Sequence, residues 1–84
     1  MNLNHLQYFL ETCRYGSITK ASEVCHISQP SITAAINNLE KELGAKLFDR
    51  VNNRLRLTVV GEGFKDLTEE FLKTFDDYCQ SAYD

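Results

Sequence analysis

Apolar residues return every three or four positions through the first half of the chain. Leu6, Phe9, Leu10 and Cys13 fall at i, i+3, i+4 and i+7, with Leu3 on the same side, and predict a first helix. Asn2 can cap its start, and Gly16 sits where the backbone turns left-handed to end it. A short second helix follows, capped by Ser17, with Ile18, Ala21 and Cys25 inward and Val24 beside them. The small side chain of Ala21 lets a neighbouring helix cross closely. His26-Ile27 make a tight connection to a third helix that Ser28 caps, Pro30 opens in its first turn and Gly44 closes.

In that third helix Ile32, Ile36, Leu39 and Leu43 make a narrow apolar stripe. The opposite side carries Pro30, Ala34, Asn37 and Lys41, flanked by Ser31, Thr33 and Asn38. An ordinary solvated helix face more often carries Glu, Lys and Arg. Short amide and hydroxyl side chains, with small residues among them, suit a helix that lies against the edges of bases. Two helices joined by about three residues, the second with a polar outer face, form the helix-turn-helix arrangement.

After Gly44 the period changes. Leu47, Phe48, Val51, Leu55 and Leu57 are spaced for extended structure, and Asn52-Asn53 can supply the positive φ of a two-residue turn. The spacing predicts a hairpin with strands at 47–50 and 55–58. Arg50, Arg54 and Arg56 crowd it, the last two on the face opposite Leu55 and Leu57. Such a hairpin beside a helix-turn-helix is a wing suited to the phosphate backbone or the minor groove. A solvated hairpin with incidental arginines is the plainer alternative, and Arg56 fits a salt bridge to Asp49 across the hairpin as well as it fits a phosphate.

Thr58 can cap a last helix over 59–84. Along it Val60, Phe64, Leu67, Phe71, Phe75, Tyr78 and Ala82 recur at steps of three and four, close to a coiled-coil seam. So small a domain cannot cover that stripe by itself, which predicts a partner helix from a second chain. The pattern as a whole predicts a mainly α fold. A winged helix-turn-helix of three helices and a short hairpin occupies residues 1–58, and a linker and dimerisation helix occupies 59–84.

The 84 residues carry a net charge of −3, which taken alone argues against a nucleic-acid partner. Its distribution changes that. Residues 1–58 hold seven Lys/Arg against five Asp/Glu, a local +2, whereas residues 59–84 hold two against seven, a local −5. The acidity belongs to the last helix, where Glu62, Asp66, Glu69, Glu70, Asp76 and Asp77 keep the rod solvated and away from phosphates.

No apolar run approaches the roughly 20 residues of a membrane span, and no signal-peptide pattern opens the chain, so the cytoplasm is the expected compartment. Cys13, Cys25 and Cys79 are odd in number and widely spaced, which fits neither a disulfide framework nor a metal site. Cys13 and Cys25 are expected to pack as small apolar residues. No histidine, cysteine or carboxylate spacing places a nucleophile beside a base, so neither an enzyme nor a cofactor is expected.

In order and at their spacings, Leu6-x-x-Phe9, Gly16-Ser17-Ile18-Thr19-Lys20-Ala21, Ser28-Gln29-Pro30-Ser31, Ile36-x-x-Leu39-Glu40, Leu43-Gly44-x-x-Leu47-Phe48-x-Arg50 and Leu57-Thr58 with Gly61 form a specific pattern. It resembles the N-terminal DNA-binding domain of LysR-type transcriptional regulators from about Leu3 to Gly61, and the remainder corresponds to that family's linker helix. The resemblance implies a homodimer through the last helix that binds a partly palindromic double-stranded site. It also implies a dimer of dimers in the full-length protein, where a further domain senses a small molecule.

By family position Gln29, Pro30, Ser31, Thr33 and Ala34 would face the major groove, and Asn37 and Asn38 are expected there as the continuation of the same polar helix face. Ser28 and Ser31 would hold one phosphate, and Ser17, Thr19 and Lys20 another. Arg54 would enter the minor groove, with Arg50 and Arg56 at phosphates. Asn37 and Asn38 stand where basic residues are frequent in the family, and Ser22 replaces a usual alanine. The competing expectation is a helical dimerisation module that binds no DNA.

Overall fold

The computed structural model describes residues 1–83, Tyr83 by its backbone alone. Four helices and one hairpin follow in the expected order: α1 (Leu3–Tyr15), α2 (Ile18–Cys25), α3 (Gln29–Leu43), β1 (Phe48–Val51), β2 (Arg54–Leu57) and α4 (Val59–Tyr83). The last helix was expected to run to residue 84, which lies outside the described residues.

Short side chains fix where each helix starts. Asn2 Oδ1 accepts the Asn4 N–H at 2.7 Å, Ser17 Oγ the Lys20 N–H at 3.1 Å and Ser28 Oγ the Ser31 N–H at 3.2 Å. Each cap satisfies an amide that has no partner inside its helix. The ends are set as firmly, by Gly16 (φ 60°), His26 (φ 59°) and Gly44 (φ 70°) in left-handed backbone.

Asn52 and Asn53, at φ 52° and 62°, turn the antiparallel hairpin, in which Phe48 faces Leu57, Asp49 Arg56, Arg50 Leu55 and Val51 Arg54. Positive φ at both turn residues matches the right-handed twist of the strands. The strands lie one residue nearer the turn than the spacing predicts: Leu47 is buried in the core, and only its carbonyl, which accepts the Thr58 N–H, continues the ladder.

Two apolar clusters meet beneath α3. Leu6, Phe9, Leu39, Leu47 and Phe64 form one, and Ala21, Ile32 and Ile36 the other, with Phe48 packed against both. Phe9 lies at the centre, its ring 5.5 Å from that of Phe48 and 5.2 Å from that of Phe64. Thr12, though polar, is fully buried and donates its hydroxyl to the Tyr8 carbonyl at 2.8 Å.

Several expected core positions lie elsewhere. Leu3, Val24 and Leu43 are exposed, each at the margin of its helix, while Ala35 is buried and completes the inner face of α3. Cys13 and Cys25, half-buried, do pack against the two clusters as expected. Phe64, expected along the seam with a second chain, is instead buried in this subunit's own core, because the first turns of α4 lie against α1 and β2. The rest of that stripe is uncovered: Val60, Leu67, Phe71, Phe75, Tyr78 and Ala82 are all exposed. Among the described residues no helix is long and apolar enough to cross a membrane.

Candidate nucleic-acid interface

Burying Ile32, Ala35, Ile36 and Leu39 turns the other side of α3 outward. Gln29, Pro30, Ser31, Thr33, Ala34, Asn37 and Asn38 are all exposed there, and none of them carries charge. The face is therefore both accessible and short in reach, as the sequence predicts.

Its N-terminus is more closed than expected. Ser28 and Ser31 hydroxyls hydrogen-bond each other at 2.8 Å, and the Ser31 and Ile32 amides bond back to Ser28. One hydroxyl proton of the serine pair stays free to donate outward, and Pro30 has no N–H to offer. Among the described residues, the Gln29 N–H is the one first-turn amide left without a protein acceptor.

Beside this end of α3 stands the start of α2. Ser17 is half-buried with its oxygen committed to the cap, while Thr19 and Lys20 are exposed. Lys20 Nζ lies 3.8 Å from Glu23, but both side chains are more than half exposed, so solvent screens the pair and leaves the ammonium available.

The hairpin register divides the three arginines. Arg50 shares a face with Phe48, Leu55 and Leu57, turned toward the helices, whereas Arg54 and Arg56 share the outer face with Asp49 and Val51. Asp49 and Arg56 are opposed in the ladder, yet among the described residues no ion pair closes between them.

Between α2, α3 and the hairpin opens a polar cavity of about 390 Å³. Ser17, Thr19, Gln29, Thr33, Arg50 and Asn53 line it. Five of these six are predicted site residues from three separate stretches of sequence, and folding brings them to one groove. Asn53 is the one that sequence reasoning missed, since a turn role already accounted for its identity. Arg54, Arg56, Ala34, Asn37 and Asn38 lie outside this cavity.

Two of the three cysteines are held in the thiol form. Burial pushes the Cys13 thiol up to about 12, and burial together with the charge of Glu11 raises that of Cys25. Both stay protonated at neutral pH, and the thiolate is the nucleophilic and metal-binding form. Among the described residues no group of three or more His, Cys, Asp or Glu is placed to hold a metal ion.

The model of the bacterial regulatory helix-turn-helix protein, lysR family, matches residues 3–62. The chain belongs to the LysR family. Among its LysR-family relatives, the uncharacterized HTH-type transcriptional regulator YwbI of Bacillus subtilis (strain 168) is 49% identical over 57 residues, 68% of this chain and 19% of that protein. YcgK, an uncharacterized HTH-type transcriptional regulator of the same organism, is 39% identical over 77 residues, 92% of this chain and 24% of that protein. The chain thus spans about a quarter or less of the length of these relatives.

Solved LysR-family structures superpose on nearly the whole chain. The complex of the BenM DNA-binding domain with catB site 1 DNA matches with a TM-score of 0.93 at 32% identity, over 99% of this chain and 92% of that one. The complex of the CbnR DNA-binding domain with DNA matches at 0.87 and 29%, over all of both chains. The architecture is therefore the LysR-family winged helix-turn-helix with its linker helix.

Proposed function

We propose that this chain is the sequence-specific DNA-binding portion of a cytoplasmic transcriptional regulator, with no catalytic activity and no cofactor of its own. One observation carries the reading: the exposed, uncharged face of α3 borders a groove that Ser17, Thr19 and Arg50 enter from two sides. A duplex major groove admits one α-helix, and its flanking strands then meet the groups on either side of that helix.

Residues divide by what they can reach. Gln29 suits an adenine edge or a bridging water, Thr33 a base or phosphate acceptor, and Pro30 with Ala34 the methyl of thymine. Asn37 and Asn38 extend the same face toward the far end of the site. The free hydroxyl of the Ser28–Ser31 pair and the Gln29 amide suit one phosphate at the positive end of the helix dipole. Ser17, Thr19 and Lys20 suit the phosphate across the groove. Arg54, on the outer face of the hairpin, reaches for the minor groove, with Arg50 and Arg56 at the backbone. The relatives called HTH-type transcriptional regulators, and the BenM and CbnR complexes with DNA, support this assignment by kinship.

Two copies are needed for a palindromic site, and the exposed stripe of α4 (Val60, Leu67, Phe71, Phe75, Tyr78 and Ala82) supplies the surface for a homodimer. In a longer protein, pairs of dimers can follow. The net charge of −3 favours a second reading, a dimerisation module that binds protein only. Fluorescence anisotropy decides between them. Binding to random duplex at low salt, and tighter binding to sequences selected from a random pool, are expected. No binding to any duplex at low salt overturns the DNA reading. Gln29→Ala should relax discrimination at one base by roughly 1–3 kcal/mol while leaving random-duplex affinity nearly unchanged.

A further inference from the structure

Glu40 is a carboxylate near the C-terminal end of α3, and it is held in place. Its side chain is only 12% exposed. Oε2 accepts the Leu47 N–H at 2.8 Å, while Oε1 lies 3.8 Å from a Lys46 ammonium that is 77% exposed, a pair that solvent weakens. The hydrogen bond to Leu47 is therefore the stronger tie.

Leu47 is fully buried and begins the approach to the hairpin. Its carbonyl accepts the Thr58 N–H at 3.0 Å, and Thr58 Oγ1 donates to the Lys46 carbonyl at 2.7 Å while accepting the Gly61 N–H at 2.9 Å. One chain of hydrogen bonds thus runs from α3, through the loop before β1, to the start of α4. Without Glu40 the Leu47 amide would be a buried donor with no acceptor.

We infer that Glu40 is a positioning residue for the wing: its carboxylate fixes where the hairpin, and with it Arg50, stands relative to the exposed face of α3. This rests on the DNA-binding reading and deepens it. Charge and position pull in opposite directions here. A carboxylate beside a polyanion weakens binding, so deleting it should tighten binding if charge were its whole effect. If position dominates, deleting it weakens binding.

The test uses the whole chain, with Glu40→Gln, Glu40→Ala, Arg50→Ala and the Glu40→Ala/Arg50→Ala pair, read by anisotropy on one selected duplex. Amide exchange in α1 verifies the fold. Glu40→Gln, which is uncharged but keeps an acceptor for Leu47, should bind at least as tightly as the parent. Glu40→Ala should bind about tenfold more weakly, the scale of one charge-assisted hydrogen bond. Arg50→Ala should then cost clearly less on the Glu40→Ala background than on the parent.

Should Glu40→Ala fail to fold, Glu40→Asp replaces it in the single and the paired variant, since it keeps the charge but falls one methylene short of Leu47, and it should bind more weakly than the equally charged parent. The inference is overturned if Glu40→Ala binds as well as Glu40→Gln (or Glu40→Asp, in its place, as well as the parent), or if the Arg50→Ala loss is the same on both backgrounds. Binding by the parent in those experiments keeps the DNA reading intact, whereas a parent that binds no duplex removes both.

Discussion

A methyl group at position 61 would have nowhere to go. A Cβ on Gly61 would collide with the Leu47 carbonyl oxygen and lie 2.9 Å from Leu57 Cδ2, whereas one on Gly63 meets nothing within 4 Å. Both glycines sit in the first turns of α4, where each weakens the helix by about 1 kcal/mol relative to alanine. The two alanine substitutions should therefore differ in sign. Gly63→Ala should stabilise by about that amount, while Gly61→Ala should destabilise by roughly 1–3 kcal/mol because the clash exceeds the propensity gained. Thermal unfolding reads this as a shift of several degrees up and down, at roughly 4–8 °C per kcal/mol for a domain of this size. The glycine pair was legible in the sequence, but which of the two is a packing contact was not. That depends on the approach of Leu47, fourteen residues earlier in the chain.

Cys13 gives a second test at this scale. Burial pushes its thiol up to about 12 in the folded chain from an ordinary value of 9.0. Between those values the unfolded chain has released the proton that the folded chain still holds, so folding stability falls as pH rises across that window. Denaturant unfolding of Cys13→Ala should show a shallower alkaline loss than the parent. Equal slopes would mean that the thiol is open to water.

At the scale of elements, the sequence is most informative where one residue sets one boundary. Asn2, Ser17, Ser28 and Thr58 start their helices as read, and Gly16 and Gly44 end theirs. Capping is local chemistry, satisfied within three residues, so a linear reading finds it. The hairpin turn was legible for the same reason, since two asparagines tolerate positive φ. Burial is not local. Leu43 fits the periodic stripe of α3 and is exposed, whereas Ala35 stands outside that stripe and is buried. The groove belongs to the same class, because its lining comes from α2, α3 and the hairpin turn, and only folding decides that Asn53 joins it.

The ladder register adds a distinction among the arginines that spacing alone could not complete. Arg50 faces the helices, and Arg54 and Arg56 face outward. Arg50→Ala should therefore weaken binding about equally on all duplexes and lower the salt slope by about one phosphate contact. Arg54→Ala should lose most on duplexes whose flanks are A·T tracts, where the minor groove is narrow and its potential most negative. Anisotropy titrations over a salt series, with A·T and G·C flanks, distinguish the two. A uniform loss for both would place both at the backbone.

Over the whole molecule, two charge and surface patterns are kept apart. Residues 1–58 are locally +2 and residues 59–84 locally −5, and the six acidic residues of α4 are exposed. On α4 Phe64 belongs to the core, while the rest of the stripe, Val60 before it and Leu67 onward after it, is left uncovered among the described residues. Leu67, Phe71, Phe75 and Tyr78 are 62%, 47%, 41% and 74% exposed, and the Phe71 and Phe75 rings already stack at 6.2 Å. A continuous seam in the sequence thus divides into an inner contact and an outer one, which periodicity cannot do because both partners demand the same spacing.

The division makes opposite mutants. Phe64→Ala should cost about 3–5 kcal/mol of folding stability in each subunit. Leu67→Glu with Phe71→Glu should leave the chain folded but convert the proposed dimer to a monomer by sedimentation, and its melting should no longer depend on concentration. Salt then separates the two proposed associations of the same chain. Two acidic helices repel when paired, so added salt should tighten the proposed dimer by screening that repulsion while leaving the apolar contact intact. The same salt should loosen the grip of the arginines on phosphate, through loss of counterion release. Sedimentation and anisotropy on one sample series should therefore move in opposite directions, and a dimer that weakens with salt would mean that ion pairs, not the aromatic stripe, hold the helices together.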